Sequence, residues 1–194
     1  QPLLHDAHAH VRAAAIAGLV RYGGLDGILC CVDVLKIMLT STSEDDRVEA
    51  AWVLGEIEVQ NFFQPLIPLL HDDSLRVRYA AIEAAGKLLS PPLIPSLIEQ
   101  LMRPQVASAA KAALAAFGPS IEEPIANVIA DPDRPTVIRM HACRVLARLG
   151  TGNAAGRLIE RLDDPQIHVR LAAVQALRSI TKGLPGYRID STRL

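Results

Sequence analysis

Apolar and polar positions follow a long-period pattern that is clearest between Asp72 and Leu88. Asp72-Asp73-Ser74 is polar and turn-forming. After it, Leu75-Arg76-Val77-Arg78-Tyr79-Ala80-Ala81-Ile82-Glu83-Ala84-Ala85-Gly86-Lys87-Leu88 sets small and aliphatic residues at the spacing of a helix with one buried face. Versions of this stretch recur with their arginine at Arg12, Arg47, Arg78, Arg139 and Arg170. A further copy, Val106-Ala107-Ser108-Ala109-Ala110, has Ala107 where the arginine should be. The steps between copies are 35, 31, 29, 32 and 31 residues. A period of about thirty residues with one strong helix per unit marks a helical solenoid, because a single helix pair cannot bury its own apolar face and must stack on the next.

Laying the copies over one another separates core from surface. Counting from the arginine, position +3 is Ala15, Ala50, Ala81, Ala110, Ala142 and Ala173, and position +7 is Leu19, Leu54, Ala85, Leu114, Leu146 and Leu177. Position +10 is Tyr22, Ile57, Leu88, Phe117, Leu149 and Ile180. All fall on one helix face and are expected to be buried, with alanine where neighbouring helices cross. The fold class expected is all-α, a solenoid of about six helix pairs, with units at 1–24, 25–61, 62–90, 91–120, 121–151 and 152–180.

Helix limits follow from caps and breakers. The first unit holds the tail of one helix, a turn from His5 to His10, and a helix from Val11 to Tyr22 stopped by Gly23-Gly24. The second has helices at Ile28–Leu39 and Asp46–Glu58, joined by the turn and N-cap Thr40-Ser41-Thr42-Ser43-Glu44-Asp45-Asp46. Pro65, Pro92 and Pro124 stand early in the first helices of the next three units, where the N–H that proline lacks would be unpaired anyway. The third unit reads as helices Gln64–His71 and Leu75–Leu89. In the fourth, Met102-Arg103-Pro104-Gln105 replaces the acidic turn, which returns as Asp131-Pro132-Asp133-Arg134-Pro135 and as Leu162-Asp163-Asp164-Pro165. Residues 181–194 contain Gly183, Pro185 and Gly186 and read as an irregular tail. The opening Gln1-Pro2-Leu3-Leu4 looks like a helix already under way and no initiator Met is present, so a piece of a longer protein is expected.

Asp-x-x-Val-Arg-x-x-Ala-Ala followed by Leu-Gly resembles HEAT repeats, particularly the short HEAT-like type first named from phycobilisome bilin lyases. The resemblance covers residues 1–180, and the fourth unit departs most from it. It implies a right-handed superhelix of helix pairs whose second helices line the concave side.

Half the residues are apolar and only 4% aromatic, so the core is built from Ala, Leu, Ile and Val. The most apolar run, Ile28 to Leu39, is too short for a membrane span and contains Asp33 and Lys36, so no membrane insertion is expected in this segment. A membrane-associated parent protein stays open. Three cysteines, Cys30, Cys31 and Cys143, make no disulfide framework, and a cytoplasmic or cytosol-facing compartment is expected. The net charge of −1 hides an asymmetry: residues 1–102 carry 7 basic and 13 acidic side chains, residues 103–194 carry 13 and 8. Such a dipole can steer a charged partner, within the reach that screening allows.

Candidate chemistry is sparse. The five arginines are expected to form a structural ladder, each pairing with the turn of an adjacent repeat while the Asp caps a helix. His5, Asp6, His8 and His10 have the residue types of a metal site, but His5-Asp6 aligns with the ordinary turn His71-Asp72, so no metal is expected. His141 and Cys143 stand two apart on a helix, which points them to different sides, so core packing is expected for Cys143, and the same for Cys30-Cys31. No phosphate-cradling glycine loop, nucleophile elbow or carboxylate pair appears, and neither catalysis nor a cofactor is expected.

Positions +1 and +5 lie off the core face. There Trp52, Tyr79, Met140 and Leu171, edged by Glu56, Glu83, Lys87, Arg144 and Arg148, have the composition of a protein-contact surface. The function expected is a non-catalytic scaffold binding a protein or peptide along the concave helices. The resemblance also brings in a bilin lyase-type enzyme subunit, although no chromophore-handling residue can be placed. A third reading is nucleic-acid binding through the basic C-terminal half. The distribution of aromatics argues against it, because the only Trp lies in the acidic half.

Overall fold

The structure is a computed structural model and describes residues 2–57 and 59–183. Among these no strand occurs. The helices in chain order are α1 (Ala9–Tyr22), α2 (Gly24–Leu39), α3 (Glu44–Ile57), α4 (Leu66–Leu70), α5 (Leu75–Leu88), α6 (Ile94–Gln100), α7 (Ala107–Ala116), α8 (Glu122–Ala130), α9 (Thr136–Leu149), α10 (Gly152–Ile159) and α11 (Ile167–Gly183). Short 3-10 turns at Gln60–Phe63, Pro91–Leu93 and Gly118–Ile121 lead into α4, α6 and α8.

The chain divides into two compact units, Gln1–Leu97 and Ile98–Leu194. In the first, α1 packs on α2 and α3, α3 packs on α5, and α4 packs behind both α3 and α5. In the second, α9 packs on α7 and α11, with α8 behind α9 and α10 behind α9 and α11. Each unit thus stacks second helices on second helices, the neighbour-on-neighbour arrangement of an α-solenoid.

The alanine column marks where these helices cross: Ala50, Ala81, Ala110, Ala142 and Ala173 are all fully buried. The +10 column, expected to be buried, is so only at Leu88 and Ile180, while Ile57, Phe117 and Leu149 are half-buried at the ends of their helices. The first helix departs furthest. In α1 the buried residues are Ala13, Ile16 and Ala17, while Ala15 and Leu19 are only half-buried and Tyr22 is 87% exposed. The cause is position in the stack, because on that side α1 meets only the short turn Pro2–His5.

Several predicted boundaries move. α2 begins at Gly24, not Ile28, because Gly24 takes a φ of +60° and lets the chain re-enter a helix after one linking residue. The reversal is tight enough that a Cβ on Gly27 would lie 2.5 Å from the Leu19 carbonyl oxygen. α3 starts at Glu44, so Glu44, Asp45 and Asp46 form its first turn rather than a preceding loop, where carboxylates favour the positive end of the helix dipole. α4 is shorter than Gln64–His71 because a 3-10 turn takes up Gln60–Phe63 and Pro65 sits outside as the N-cap residue. α11 runs to Gly183 rather than stopping at Ile180, which is 2% exposed and anchors that turn in the core. The rest of the expected tail, from residue 184, lies outside the described residues, as does Glu58.

Of the five repeat arginines, Arg12, Arg47 and Arg139 connect successive turns, while among the described residues Arg78 and Arg170 donate only to carbonyls of their own turn. Arg47 reaches forward to the next repeat with a two-pronged contact to Asp72, Nε to Oδ2 at 2.7 Å and Nη2 to Oδ1 at 3.0 Å. It also reaches back to its own turn, donating to the carbonyls of Ser41 at 2.8 Å and Thr42 at 3.2 Å. Arg12 does the same with Asp46 and with the carbonyls of Asp6 and Ala7. Arg139 pairs with Asp164, and Arg170 donates to the carbonyls of Asp164 at 2.6 Å and Pro165 at 3.2 Å. The aspartates brace turns more than they cap helices: Asp72 accepts from the Ser74 N–H at 2.8 Å, and Ser74 then caps α5 by accepting from Arg76 and Val77. Arg47 beside it, helped by that N–H, holds the Asp72 carboxyl below its ordinary value.

Two rungs are missing around the fourth unit. Arg78 is buried, donates to the Asp73 carbonyl at 3.2 Å, and leaves its Nε without a partner among the described residues. In the equivalent place for its acid the sequence has Met102-Arg103-Pro104-Gln105. Ala107 supplies no arginine for Asp131, which pairs within its own turn with Arg134 at 3.4 Å, and α7 follows Val106, an N-cap residue with no side-chain cap. Amides of residues 102–112 are therefore expected to exchange hydrogen faster than those of the turns at 40–47 and 162–170, read residue by residue by mass spectrometry or NMR. Equal rates at all three turns would show that the rungs do not govern local opening.

Candidate protein-contact surfaces

In the first unit the off-core positions of α3 and α5, with one residue of α1, enclose a pocket of about 200 Å³. Its wall is Val48, Glu49, Trp52 and Gly55 from α3, Ala80, Glu83, Ala84 and Lys87 from α5, and His10 from α1. Gly55 sets its depth. A Cβ there would stand 2.9 Å from the Ala84 Cα and 3.1 Å from its Cβ, so α3 and α5 approach to a distance that only glycine allows. Trp52 is half-buried, packed on one side against the core cluster that includes Ala13, Ile16 and Ala50. His10 tilts against it, ring centroids 6.2 Å apart at 47°, and its Nδ1 lies 3.2 Å from the Glu49 carboxylate.

Charge at this pocket is partly committed. Lys87 donates to Glu56 at 2.7 Å and Arg21 reaches the same carboxylate at 3.1 Å. Lys87, and then Arg21, hold the Glu56 carboxyl below its ordinary value. Glu83 is exposed at the rim. Tyr79 stands one helical turn before Glu83 on α5, 47% exposed and outside the pocket wall.

In the second unit the equivalent face is cationic. Arg144 and Arg148 are exposed on α9, and beside them stand half-buried His141 on the same helix and half-buried Lys111 on α7. Arg144 Nη1 lies 3.1 Å from His141 Nδ1. Burial, reinforced by the neighbouring cations, pushes the proton affinity of both Lys111 and His141 down. Met140 is half-buried on α9, and Leu171 on α11 is 53% exposed.

The structure thus gathers Trp52, Glu83 and Lys87 at one place and Arg144 and Arg148 at another. Sequence reasoning missed Glu49 and Gly55 as pocket residues and Lys111 as a cluster member. His10 and His141 entered it only as candidate metal and catalytic groups. The missed residues sit at offsets other than +1 and +5, where exposure is set by the neighbouring helix rather than by the residue's own pattern: Glu49 and Lys111 are half-buried and Gly55 is buried.

The other candidates resolve into local contacts. Asp6 accepts from the His8 backbone N–H at 2.8 Å, and its pKa is lowered chiefly by that bond. Among the described residues no three His, Cys, Asp or Glu side chains gather as a metal site. Cys143 is fully buried and its thiol is pushed up to about 12 by burial, while His141 turns to Arg144. Cys31 is buried as expected, but Cys30 is exposed: the two are adjacent on α2, so they point about 100° apart around the helix. No helix among the described residues is long and apolar enough to cross a membrane.

Stacked helix pairs with an alanine crossing column and arginine-braced turns define an α-helical repeat protein. A family model described as HEAT repeats matches residues 32–118, and a second, described as HEAT repeat, matches residues 156–184. The chain belongs to the HEAT-repeat family. No curated protein matches it. Among solved structures it is similar to an engineered protein at 20% identity, covering 94% of this chain and 95% of that one, with a TM-score of 0.47. It is similar to a designed armadillo repeat protein in complex with the peptide (KR)4 at 18% identity, covering 92% and 97%, with a TM-score of 0.47. A third is human deoxyhypusine hydroxylase in complex with glycerol, at 14% identity, covering 93% and 99%, with a TM-score of 0.36.

Proposed function

We propose that the chain is a non-catalytic scaffold that holds a protein or peptide partner against the off-core face of its second helices, the side expected to be concave. The observation that carries this reading is the pocket at Trp52. A large aromatic is left half-open beside a glycine-deepened cleft, although the neighbouring α3 positions Ala51, Val53 and Leu54 are completely buried. Aromatic side chains in such clefts contribute most of the binding energy of many interfaces, and charged rims contribute selectivity.

The test compares wild type with a Trp52→Ala/Tyr79→Ala variant in affinity capture, after circular dichroism shows equal helicity. A specific partner held by wild type is expected to bind the variant at least about ten-fold more weakly, the effect of losing a central aromatic anchor. A partner list and affinities identical for both proteins would overturn the assignment of this face.

A further inference from the structure

We infer that the face formed by Lys111, His141, Arg144 and Arg148 is a binding site for an acidic peptide segment, engaging two or more of its carboxylates at once. This deepens the scaffold reading for the second unit and rests on it.

The four side chains converge from two packed helices, α7 and α9. Every one of them offers donors. A guanidinium can only donate, so His141 Nδ1, 3.1 Å from Arg144 Nη1, accepts and the ring proton sits on Nε2. Lys111, Arg144 and Arg148 make no ion pair with a carboxylate among the described residues, in contrast to Arg12, Arg47, Arg76 and Arg139, each of which does. The charges acting on His141 are those of Lys111 and Arg144, both cations, and those acting on Lys111 are Arg144 and Arg148. The two acids of α8, which packs on α9, are engaged elsewhere: Glu122 takes hydrogen bonds from Thr151 and Asn153, and Glu123 pairs with Arg157. Like charges gathered without counter-charge cost the free protein stability, and an incoming anion relieves that cost.

Size selects among anions. From residue 141 to residue 148 the helix rises about 10 Å, at about 1.5 Å per residue. That strip is longer than a single phosphate can span. It matches an extended segment whose alternate side chains lie about 7 Å apart. A nucleic-acid strand presents anions at similar spacing but relies on stacking for much of its affinity. Phe117, the only aromatic residue between Ile98 and Gly183, is half-buried at the end of α7.

The probe is a fluorescein-labelled peptide of alternating Glu and Ser, with an alternating Gln and Ser peptide and oligothymidylate as comparisons. Wild type should bind the Glu peptide in a salt-sensitive manner and ignore the Gln peptide. Arg144→Gln/Arg148→Gln, both exposed positions, should retain helicity and weaken Glu-peptide binding about ten-fold or more. In the bound wild type the His141 ring should titrate at higher pH than in the free protein, a shift that nonspecific adsorption elsewhere would not produce. Trp52→Ala/Tyr79→Ala should bind the probe as wild type does, so failure of the first-unit pocket and failure of this site are read separately. Absence of Glu-peptide binding, binding unaffected by Arg144→Gln/Arg148→Gln, or tighter binding of oligothymidylate at the same residues would each overturn the inference.

Discussion

Arg139→Ala is expected to destabilise the second unit by about 3–5 kcal/mol, the range for breaking a buried ion pair from one side. Its side chain is 3% exposed and that of Asp164 is 2%. The guanidinium also donates from Nε to the Ile129 carbonyl at 2.7 Å. Removing it strands a carboxylate whose other contact, an N–H from Gln166 at 3.0 Å, cannot replace a cation. Urea unfolding followed by circular dichroism measures the loss. Arg12→Ala, at a rung whose side chains are 16% and 17% exposed, should cost clearly less because water can take over. Replacing both partners, as Arg139→Met/Asp164→Leu, should recover most of the loss, since the penalty comes from the orphaned charge rather than from the missing attraction. A cost below about 1 kcal/mol for Arg139→Ala would mean that Asp164 finds another partner or neutralises cheaply.

Gly55→Val should be the most damaging substitution in the first unit, at about 1–3 kcal/mol or more. The atoms its Cβ would strike, the Ala84 Cα at 2.9 Å and Cβ at 3.1 Å, belong to backbone and to a side chain with no rotamer to escape into. The helices must separate, and the pocket with them. Thermal melting reads the first effect. Trp52 is the only tryptophan, so its emission reads the second, shifting toward the red as water reaches the ring. Gly55→Ala should act in the same direction more weakly, against the roughly 1 kcal/mol that alanine gains in an isolated helix. An unshifted emission with unchanged melting would show that the crossing can relax without opening the pocket.

The repeat and its core column were legible because one period-3.6 pattern, stacked at intervals of about thirty residues, leaves the same signature in every copy. Ala50, Ala81, Ala110, Ala142 and Ala173 are buried because each is flanked by another helix on the same side. Tyr22 shows what that logic omits. Its offset marks it as core, yet it is exposed, because burial belongs to the pair of helices and α1 lacks one neighbour. Cys30 shows the same at smaller scale, as its adjacent residue alone faces inward. The pocket needs three helices to exist, so Trp52 and Glu83 could be chosen from one-dimensional offsets while Glu49, His10 and Gly55 could not. Glu122 was invisible for the same reason: its partners Thr151 and Asn153 are about thirty residues away and belong to no motif.

Each rung that joins two repeats is written at two places in the gene. Arg139 and Asp164 are 25 residues apart, Arg47 and Asp72 another 25, Arg12 and Asp46 34. A duplication of one repeat copies both halves together, but a point mutation can erase only one and strands the other. Where the remaining half is as buried as Arg139 or Asp164, every single-base route out of the rung passes through a protein with an unpaired interior charge. The units on either side of the fourth show two ways in which a stranded charge is accommodated: Asp131 in the fifth pairs with Arg134 within its own turn, and Arg78 in the third falls back on the carbonyl of Asp73. The rungs thus resist erosion one mutation at a time while costing nothing to multiply, a property that favours growth of the array by whole repeats.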